Sequence, residues 1–116
     1  MLDPELVVRI VQSMAEVCPT VPITIKCRIG VDDHDSYDEL VEFIHVLSTQ
    51  TNVKHFIVHA RKAILNMRLT PNENRTIPPL CYEVVYQLVK DFPNLDFTIN
   101  GGKMLVTIVC RVMLTK

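Results

Sequence analysis

Three polar side chains with different chemistry stand near the ends of three strand-like segments. They are Lys26, His59 and Asn100, and Gly101 and Gly102 follow the last of them directly. Lysine supplies a cation, histidine an imidazole and asparagine an amide. A pair of glycines lets backbone N–H groups approach a ligand closely, which suits a phosphate. This set is typical of a site for an anionic cofactor, although the residue types alone name no reaction.

The elements that must position these residues follow from hydrophobic spacing. Strict alternation predicts strands, and apolar residues three and four apart predict helices, whose starts carry the capping signals Asp3-Pro4 and Ser36-x-x-Glu39. The expected order is α-β-α-β-α-β, with helices over 4–17, 36–47 and 80–90 and strands over 22–29, 54–60 and 97–100. The segment 61–79 is expected to be a long polar connection. Such an order indicates an α/β fold with parallel strands and helical crossovers.

Each of the three helices has a predicted apolar face, which in the second helix consists of Leu40, Val41, Phe43, Ile44 and Leu47. The stripe expected in the first helix consists of Leu6, Val7, Ile10, Val11, Met14 and Val17. The third helix is expected to turn Leu80, Val84 and Leu88 inward.

Lys26, His59 and Asn100 are expected to meet at one rim of the sheet. Ligands of parallel α/β sheets bind at the carboxyl ends of the strands. Because successive side chains of a strand lie on opposite faces, these three are expected on the face opposite the apolar side chains. Each residue alone also has an ordinary structural interpretation, as a solvated edge lysine, a hydrogen-bonded rim histidine and a common turn. His55 and His59 have the spacing of a helical metal pair, but their segment is predicted as a strand. No metal site is therefore expected.

Length and composition exclude several classes of protein. The chain has 116 residues, a net charge of −1, 48% apolar and 22% charged residues. A complete (β/α)₈ barrel needs at least about 200 residues, so an intact barrel is excluded. Charge is uneven, since residues 32–42 are acidic and residues 61–75 are basic. The overall charge provides no general attraction for nucleic acid or an anionic membrane.

The cysteines and the apolar runs bear on compartment and membrane. Four cysteines without metal-type spacing favour reduced thiols, and a cytoplasmic protein is expected, or an organellar one if an N-terminal extension is missing. The run 104–114 is about half a membrane span and contains Arg111, so no membrane crossing is expected.

An ordered series of motifs resembles the tRNA-dihydrouridine synthases, most closely their A-type subfamily. The motifs cover roughly residues 4–102 and are 22–32 (PITIKCRIGVD), 35–37 (DSY), 56–63 (FIVHARKA), 71–75 (PNENR), 77–80 (IPPL), 91–93 (DFP) and 97–102 (FTINGG). The resemblance implies an FMN-dependent TIM-barrel enzyme that reduces uridine in tRNA with NADPH.

The resemblance also implies roles for particular residues. Lys26 corresponds to a lysine that contacts the flavin ring, and His59 to a histidine that lines the FMN site. The other implied positions are Asn100, Gly101 and Gly102 in a phosphate-binding turn, and Asn72 and Arg75 as tRNA contacts.

The sequence also departs from the family pattern: the opening strands of the barrel are missing, and Met67-Arg68 resembles a one-residue expansion where the family usually has a glycine. The family's catalytic cysteine lies in an Asn-x-Gly-Cys-Pro segment that is absent here, and Cys18-Pro19 lacks its context, so no catalytic residue is assigned. The resemblance stops after Gly102. Residues 1–102 are thus interpreted as a fragment of an FMN-binding TIM-barrel catalytic domain with about three βα units, and 103–116 as a divergent apolar tail.

The leading hypothesis is a central fragment of such an enzyme, inactive as a lone chain, with the oligomeric state left open. One alternative is a non-catalytic RNA-binding fragment that uses the basic side chains of 61–75, namely Arg61, Lys62, Arg68 and Arg75. Another is a different FMN-barrel oxidoreductase that acts on a small molecule.

Overall fold

The computed structural model of the chain describes residues 1–102. Its elements in chain order are α1 (Pro4–Val17), β1 (Ile25–Arg28), α2 (Tyr37–Gln50), β2 (His55–His59), α3 (Pro71–Thr76), α4 (Tyr82–Asp91) and β3 (Asp96–Asn100). The strands form one sheet in the order β1-β2-β3, and both pairings are parallel. The predicted α/β class with parallel strands is confirmed. The predicted tail, 103–116, lies outside the described residues.

The helices α1 and α2 begin where the local signals place them. The Asp3 carboxylate accepts a hydrogen bond from the Leu6 N–H at 3.0 Å, with Pro4 as the first helical residue. In α2, Ser36 and Glu39 form a reciprocal capping box. Caps of this kind stabilise a helix start by about 0.5–2 kcal/mol, because they satisfy N–H groups that have no partner inside the helix.

The helix α3 corrects the expectation that 61–79 is an unbroken connection. It spans Pro71–Thr76 and starts with a capping box between Thr70 and Glu73, the same signal that α2 uses. None of its residues is buried. The sequence of α3 therefore contains no hydrophobic period. The capping box is the signal in the sequence that indicates this helix.

The core lies between one face of the sheet and the helices. The Phe56 and Phe97 rings stack across β2 and β3 with their centroids 5.9 Å apart. Around them the helices contribute apolar side chains that are almost completely buried: Leu40, Phe43, Ile44 and Leu47 from α2, Val85 and Leu88 from α4, and Val8 and Val11 from α1.

The buried stripe predicted for α1 is largely wrong. Val11 is buried as expected and Val7 is partly buried, but Ile10 and Met14 are each 50% exposed and Val17 is 82% exposed. Leu6 is also exposed, and Val8, outside the stripe, is buried. The apolar arc of α1 is wide, and α2 covers only one side of it.

The inward face of α4 is only partly as predicted. Leu88 is buried as expected, whereas Leu80 and Val84 are half-buried and Val85 takes the central position. Within residues 1–102, no helix combines the length and the apolar character that a membrane crossing needs.

Candidate functional site

The strand register places three polar residues in one row at the carboxyl ends of the strands. Arg28 of β1 is opposite His59 of β2, and His59 is opposite Asn100 of β3. Lys26 lies two residues before Arg28 on the same face of β1, opposite Ile57. Because side chains alternate along a strand, all four polar residues are on the face opposite the stacked phenylalanines. Arg28 is not among the residues predicted for the site from the sequence, and the strand register adds it.

A shallow, open cleft of about 400 Å³ lies on this face. Its polar lining consists of Lys26, Arg28, His59 and Arg75. The structure thus brings the two residues predicted for the cofactor, Lys26 and His59, together with Arg75, which was predicted for tRNA. Three permanent cations around one opening make the cleft attractive to an anion.

The imidazole of His59 is held neutral by its surroundings. Burial lowers its pKa, and the charges of Arg28, Arg61, Lys26 and Arg75 lower it further, to about 4. At pH 7 the ring therefore has one N–H donor and one acceptor nitrogen. Its Nε2 atom is buried and has no hydrogen-bond partner among the residues that the structure describes.

Arg28 and Arg61 are tied to the backbone of the neighbouring loop. Arg28 Nη1 donates to the carbonyls of Lys62 at 3.1 Å and Asn74 at 2.8 Å. Arg61 Nη1 donates to the carbonyls of Thr76 and Pro78. Burial and the nearby Arg61 and Arg75 charges lower the pKa of Arg28. These guanidinium groups repel one another, so the backbone carbonyls are what hold them together.

The basic side chains of 61–75 divide into two groups. Arg61 is held as described, and Lys62 donates to Asp35 Oδ2 at 2.9 Å. Arg68 and Arg75 are exposed, and neither forms an ion pair within residues 1–102. Only the second group is free to contact a large anionic partner.

Asn72 and Arg75, the predicted tRNA contacts, both belong to α3 and are exposed. They are three residues apart, and this spacing puts two side chains on the same side of a helix. Arg75 also lines the cleft. The α3 surface therefore adjoins the mouth of the candidate site.

The turn after β3 packs directly against the imidazole of His59. Gly101 and Gly102 have φ values of 107° and 99°, in the region that favours glycine. A Cβ atom on Gly101 would lie 2.5 Å from His59 Cδ2. The Tyr82 hydroxyl donates to the Gly101 carbonyl at 2.7 Å, and the Asn100 carbonyl accepts from the Ala60 N–H at 3.1 Å. Both glycines are thus required by the turn, and sequence reasoning missed Tyr82.

Two cysteines of the described segment, Cys27 and Cys18, are poorly suited to chemistry at the cleft. Burial raises the pKa of the Cys27 thiol to about 12, so it is not a thiolate at neutral pH. Cys18 caps the C-terminal end of α1 and precedes β1, at the amino end of the sheet. This location agrees with leaving Cys18 unassigned.

The structure also accounts for the histidine pair of β2. His55 Nε2 is 2.8 Å from Thr98 Oγ1, so this ring is engaged with the neighbouring strand. Within residues 1–102, no group of three or more His, Cys, Asp or Glu side chains is arranged to hold a metal ion.

Parallel strands with crossover helices, and a cation-lined cleft at their carboxyl ends, form the side of an α/β domain at which ligands commonly bind. The family model for dihydrouridine synthase matches residues 1–112, so the chain belongs to the dihydrouridine synthase family. This is a family of TIM-barrel enzymes, and the three strands are consecutive βα units of a partial barrel. The match continues past Gly102 into the predicted tail, and the boundary at 102 stays a prediction.

Similar curated proteins carry a more specific name. A tRNA-dihydrouridine(20/20a) synthase of Vibrio vulnificus is 49% identical over 102 residues, which are 88% of this chain and 31% of that protein. One of Escherichia coli K12 is 51% identical over 98 residues, 84% of this chain and 28% of its own length. A Synechocystis protein of the same name is 51% identical over 88% of this chain and 30% of its own. The chain thus spans about three tenths of these relatives.

Proposed function

We propose that this chain is part of an FMN-dependent tRNA-dihydrouridine synthase, which reduces uridine in tRNA and takes its electrons from NADPH. The observation that carries the proposal is the cleft in which Lys26, Arg28 and Arg75 surround the neutral ring of His59. The names of the similar proteins support the reaction, and the cleft supports an anionic ligand at this place.

The residues at the cleft fit a flavin phosphate. His59 offers a buried Nε2 that has no partner in the described part of the chain, and Gly101 leaves the space that a Cβ would fill beside this ring. The turn of the half-buried Gly101 and the exposed Gly102 lies beside the His59 ring rather than in the cleft lining, and a glycine turn with cations nearby suits a phosphate group. Asn100 would fix the start of the turn through its carbonyl.

Lys26 would hold the ring system of the flavin. Its ammonium group is on the open face of β1 and lines the same cleft as His59. Bound FMN, once reduced by NADPH, would supply hydride to the uracil ring, and a fixed cation beside the flavin would stabilise the negative charge of the reduced form. No acid that would protonate the uracil is assigned within the described residues, so their proposed role is binding and orientation.

Asn72, Arg75 and Arg68 would contact tRNA. They are exposed on or just before α3, and Arg75 reaches the cleft itself. Arginine and asparagine side chains commonly bind phosphate and sugar groups of nucleic acids. The tRNA backbone would then pass beside the site that holds the flavin.

FMN binding can be tested by titrating the 116-residue chain with FMN and following the fluorescence of the flavin. Lys26→Met is expected to weaken binding by about tenfold or more, because a hydrogen bond to a charged group contributes about 1.5–3 kcal/mol. Lys54→Met is the matched control, since Lys54 is exposed at the other end of β2, and it should change the affinity by less than about twofold. A folded chain that binds no FMN, or equal affinities for the two variants, would contradict the cofactor assignment.

The alternative of an RNA-binding piece without FMN is favoured by one observation, the exposure of Arg68 and Arg75. Measuring tRNA retention over a salt series tests the tRNA contact that this alternative shares with the leading proposal, and the FMN titration separates the two. Arg75→Ala is expected to lower tRNA affinity roughly evenly across tRNA sequences and to reduce the salt slope by about one. Arg9→Ala, on the exposed side of α1, is the control and should leave both unchanged.

These two experiments also address the third possibility, an FMN-barrel oxidoreductase with a small substrate. FMN binding without any salt-sensitive tRNA binding would favour that enzyme. Salt-sensitive tRNA binding without FMN binding would leave only the RNA-binding piece.

A further inference from the structure

Asp32 is the one non-glycine residue within residues 1–102 that has a positive φ, at 49°. It follows β1 closely and belongs to the loop that leads to α2. Aspartate adopts this left-handed region more readily than most residues, but the region remains unfavourable. Such a conformation persists where the surrounding contacts over-determine it.

The contacts of Asp32 all reach the loop that follows β2. Its Oδ1 atom accepts hydrogen bonds from the Leu65 N–H at 2.7 Å and the Asn66 N–H at 3.1 Å. Its backbone N–H donates to the Ala63 carbonyl at 2.8 Å, and its carbonyl accepts from Lys62 Nζ at 3.2 Å. One residue thus holds four of the five positions from 62 to 66.

The remaining position, Ile64, is held from the other side by Asn74 of α3. The Asn74 side chain accepts from the Ile64 N–H at 2.9 Å and donates to the Ile64 carbonyl at 2.7 Å. The Asn74 carbonyl accepts from Arg28 at the cleft. Residues 62–66 therefore connect Asp32 to α3, and Asn74 connects α3 to the cleft.

Hydrogen bonds, rather than apolar packing, set the place of α3. This helix has six residues, and none of them is buried. A short helix without a buried face has little hydrophobic stabilisation of its own. If residues 62–66 were released, α3 would lose the support that its amide contact to Ile64 provides.

We propose that Asp32 is a positioning residue. By holding residues 62–66 it fixes α3, and so sets Asn72 and Arg75 relative to Lys26 and His59. The carboxylate touches neither the cleft nor α3 and acts only through the loop. The expected effect on tRNA binding rests on the proposed function. The positioning of α3 by Asp32 does not depend on that function.

The test uses three variants of the 116-residue chain. Asp32→Gly removes the carboxylate without adding strain, because glycine adopts a positive φ readily. Asp32→Asn keeps an oxygen at Oδ1 that can accept the same two hydrogen bonds. Asp33→Gly is the matched control, since Asp33 is exposed and its side chain has no hydrogen bond to the described part of the chain.

Two quantities are measured, amide hydrogen exchange over 62–66 and 71–76, and tRNA affinity. In Asp32→Gly, exchange in both segments should be about tenfold faster, while α2 keeps its protection, because two hydrogen bonds to a carboxylate are lost. The tRNA affinity should fall by about fivefold if one charged contact is misplaced. Asp32→Asn should restore both quantities to within about twofold, and Asp33→Gly should resemble the unaltered chain.

Unchanged exchange over 71–76 in Asp32→Gly would overturn the positioning role. So would a loss in Asp32→Asn as large as that in Asp32→Gly, or an equal loss in Asp33→Gly. If exchange rises as expected while Arg75→Ala leaves tRNA affinity unchanged, the positioning of α3 is upheld and the proposed tRNA contact fails.

Discussion

The two faces of the sheet have opposite relations to the stability of the fold. On the covered face, Phe56, Val58 and Phe97 are buried beneath the helices and fill the core. On the open face, Arg28 and His59 stand in the same row, where burial and then the nearby cationic charges depress the pKa of the imidazole. The covered face therefore stabilises the fold, whereas the open face gathers like charges that oppose it. A repulsive cluster of this kind is expected where a ligand supplies the opposite charge.

Among the tests of this difference between the faces, removing a core ring should change the free energy of unfolding most. Phe56→Ala is expected to lower the free energy of unfolding by about 3–5 kcal/mol, because it leaves a cavity at a site with no exposed surface. Urea unfolding measures the change. Ile57→Ala, one position further along the same strand but on the open face, is the control. Equal losses for the two variants would show that the faces do not differ as described.

A methyl group in the turn after β3 should have an intermediate effect. Gly101→Ala is expected to cost about 1–3 kcal/mol in the free energy of unfolding, since φ is 107° and the Cβ would lie 2.5 Å from the His59 ring. It should also weaken FMN binding. Thermal unfolding of Gly101→Ala, His59→Ala and the double variant separates the clash from the backbone strain. Strictly additive changes would mean that the turn does not press on the imidazole.

The smallest expected effect concerns the pH dependence of stability. The folded-state pKa of His59 is about 4, below its ordinary value of 6.5, so between these values the unfolded chain binds more protons. His59 therefore contributes stability above pH 6.5 that is lost as the pH falls toward 4. His59→Gln should reduce the slope of unfolding free energy against pH in this window.

His45→Gln is the control for that measurement, because His45 is exposed on α2. Solvent screening of a half-exposed ring should keep the His59 effect below that of Gly101→Ala. A slope that does not differ between His59→Gln and His45→Gln would show that the pKa of His59 is not depressed in the folded chain.

Several features were predictable because they depend on residues close together in the chain. The caps at Asp3 and Ser36 act within three residues, and the alternation that predicts β2 is local as well. The α3 helix was missed although its capping box is equally local. Its sequence has no apolar period, and a capping signal without such a period does not by itself predict a helix.

Other features depend on what neighbouring elements cover. Ile10 and Met14 have the spacing of a buried stripe, yet they are exposed because α2 packs against a different part of α1. Hydrophobic spacing shows which side chains could be buried. It does not show how wide a surface the neighbouring elements provide.

The sequence by itself determined the strands, their parallel order and the polar residues at their carboxyl ends. Only the tertiary structure decided that Arg28, and not Lys26, is level with His59, and that Asp32 holds the loop before α3. The physical reason is the range of the interactions. Capping and alternation act between near neighbours, whereas the register of β1 against β2 and the hydrogen bonds of Asp32 join residues about thirty positions apart.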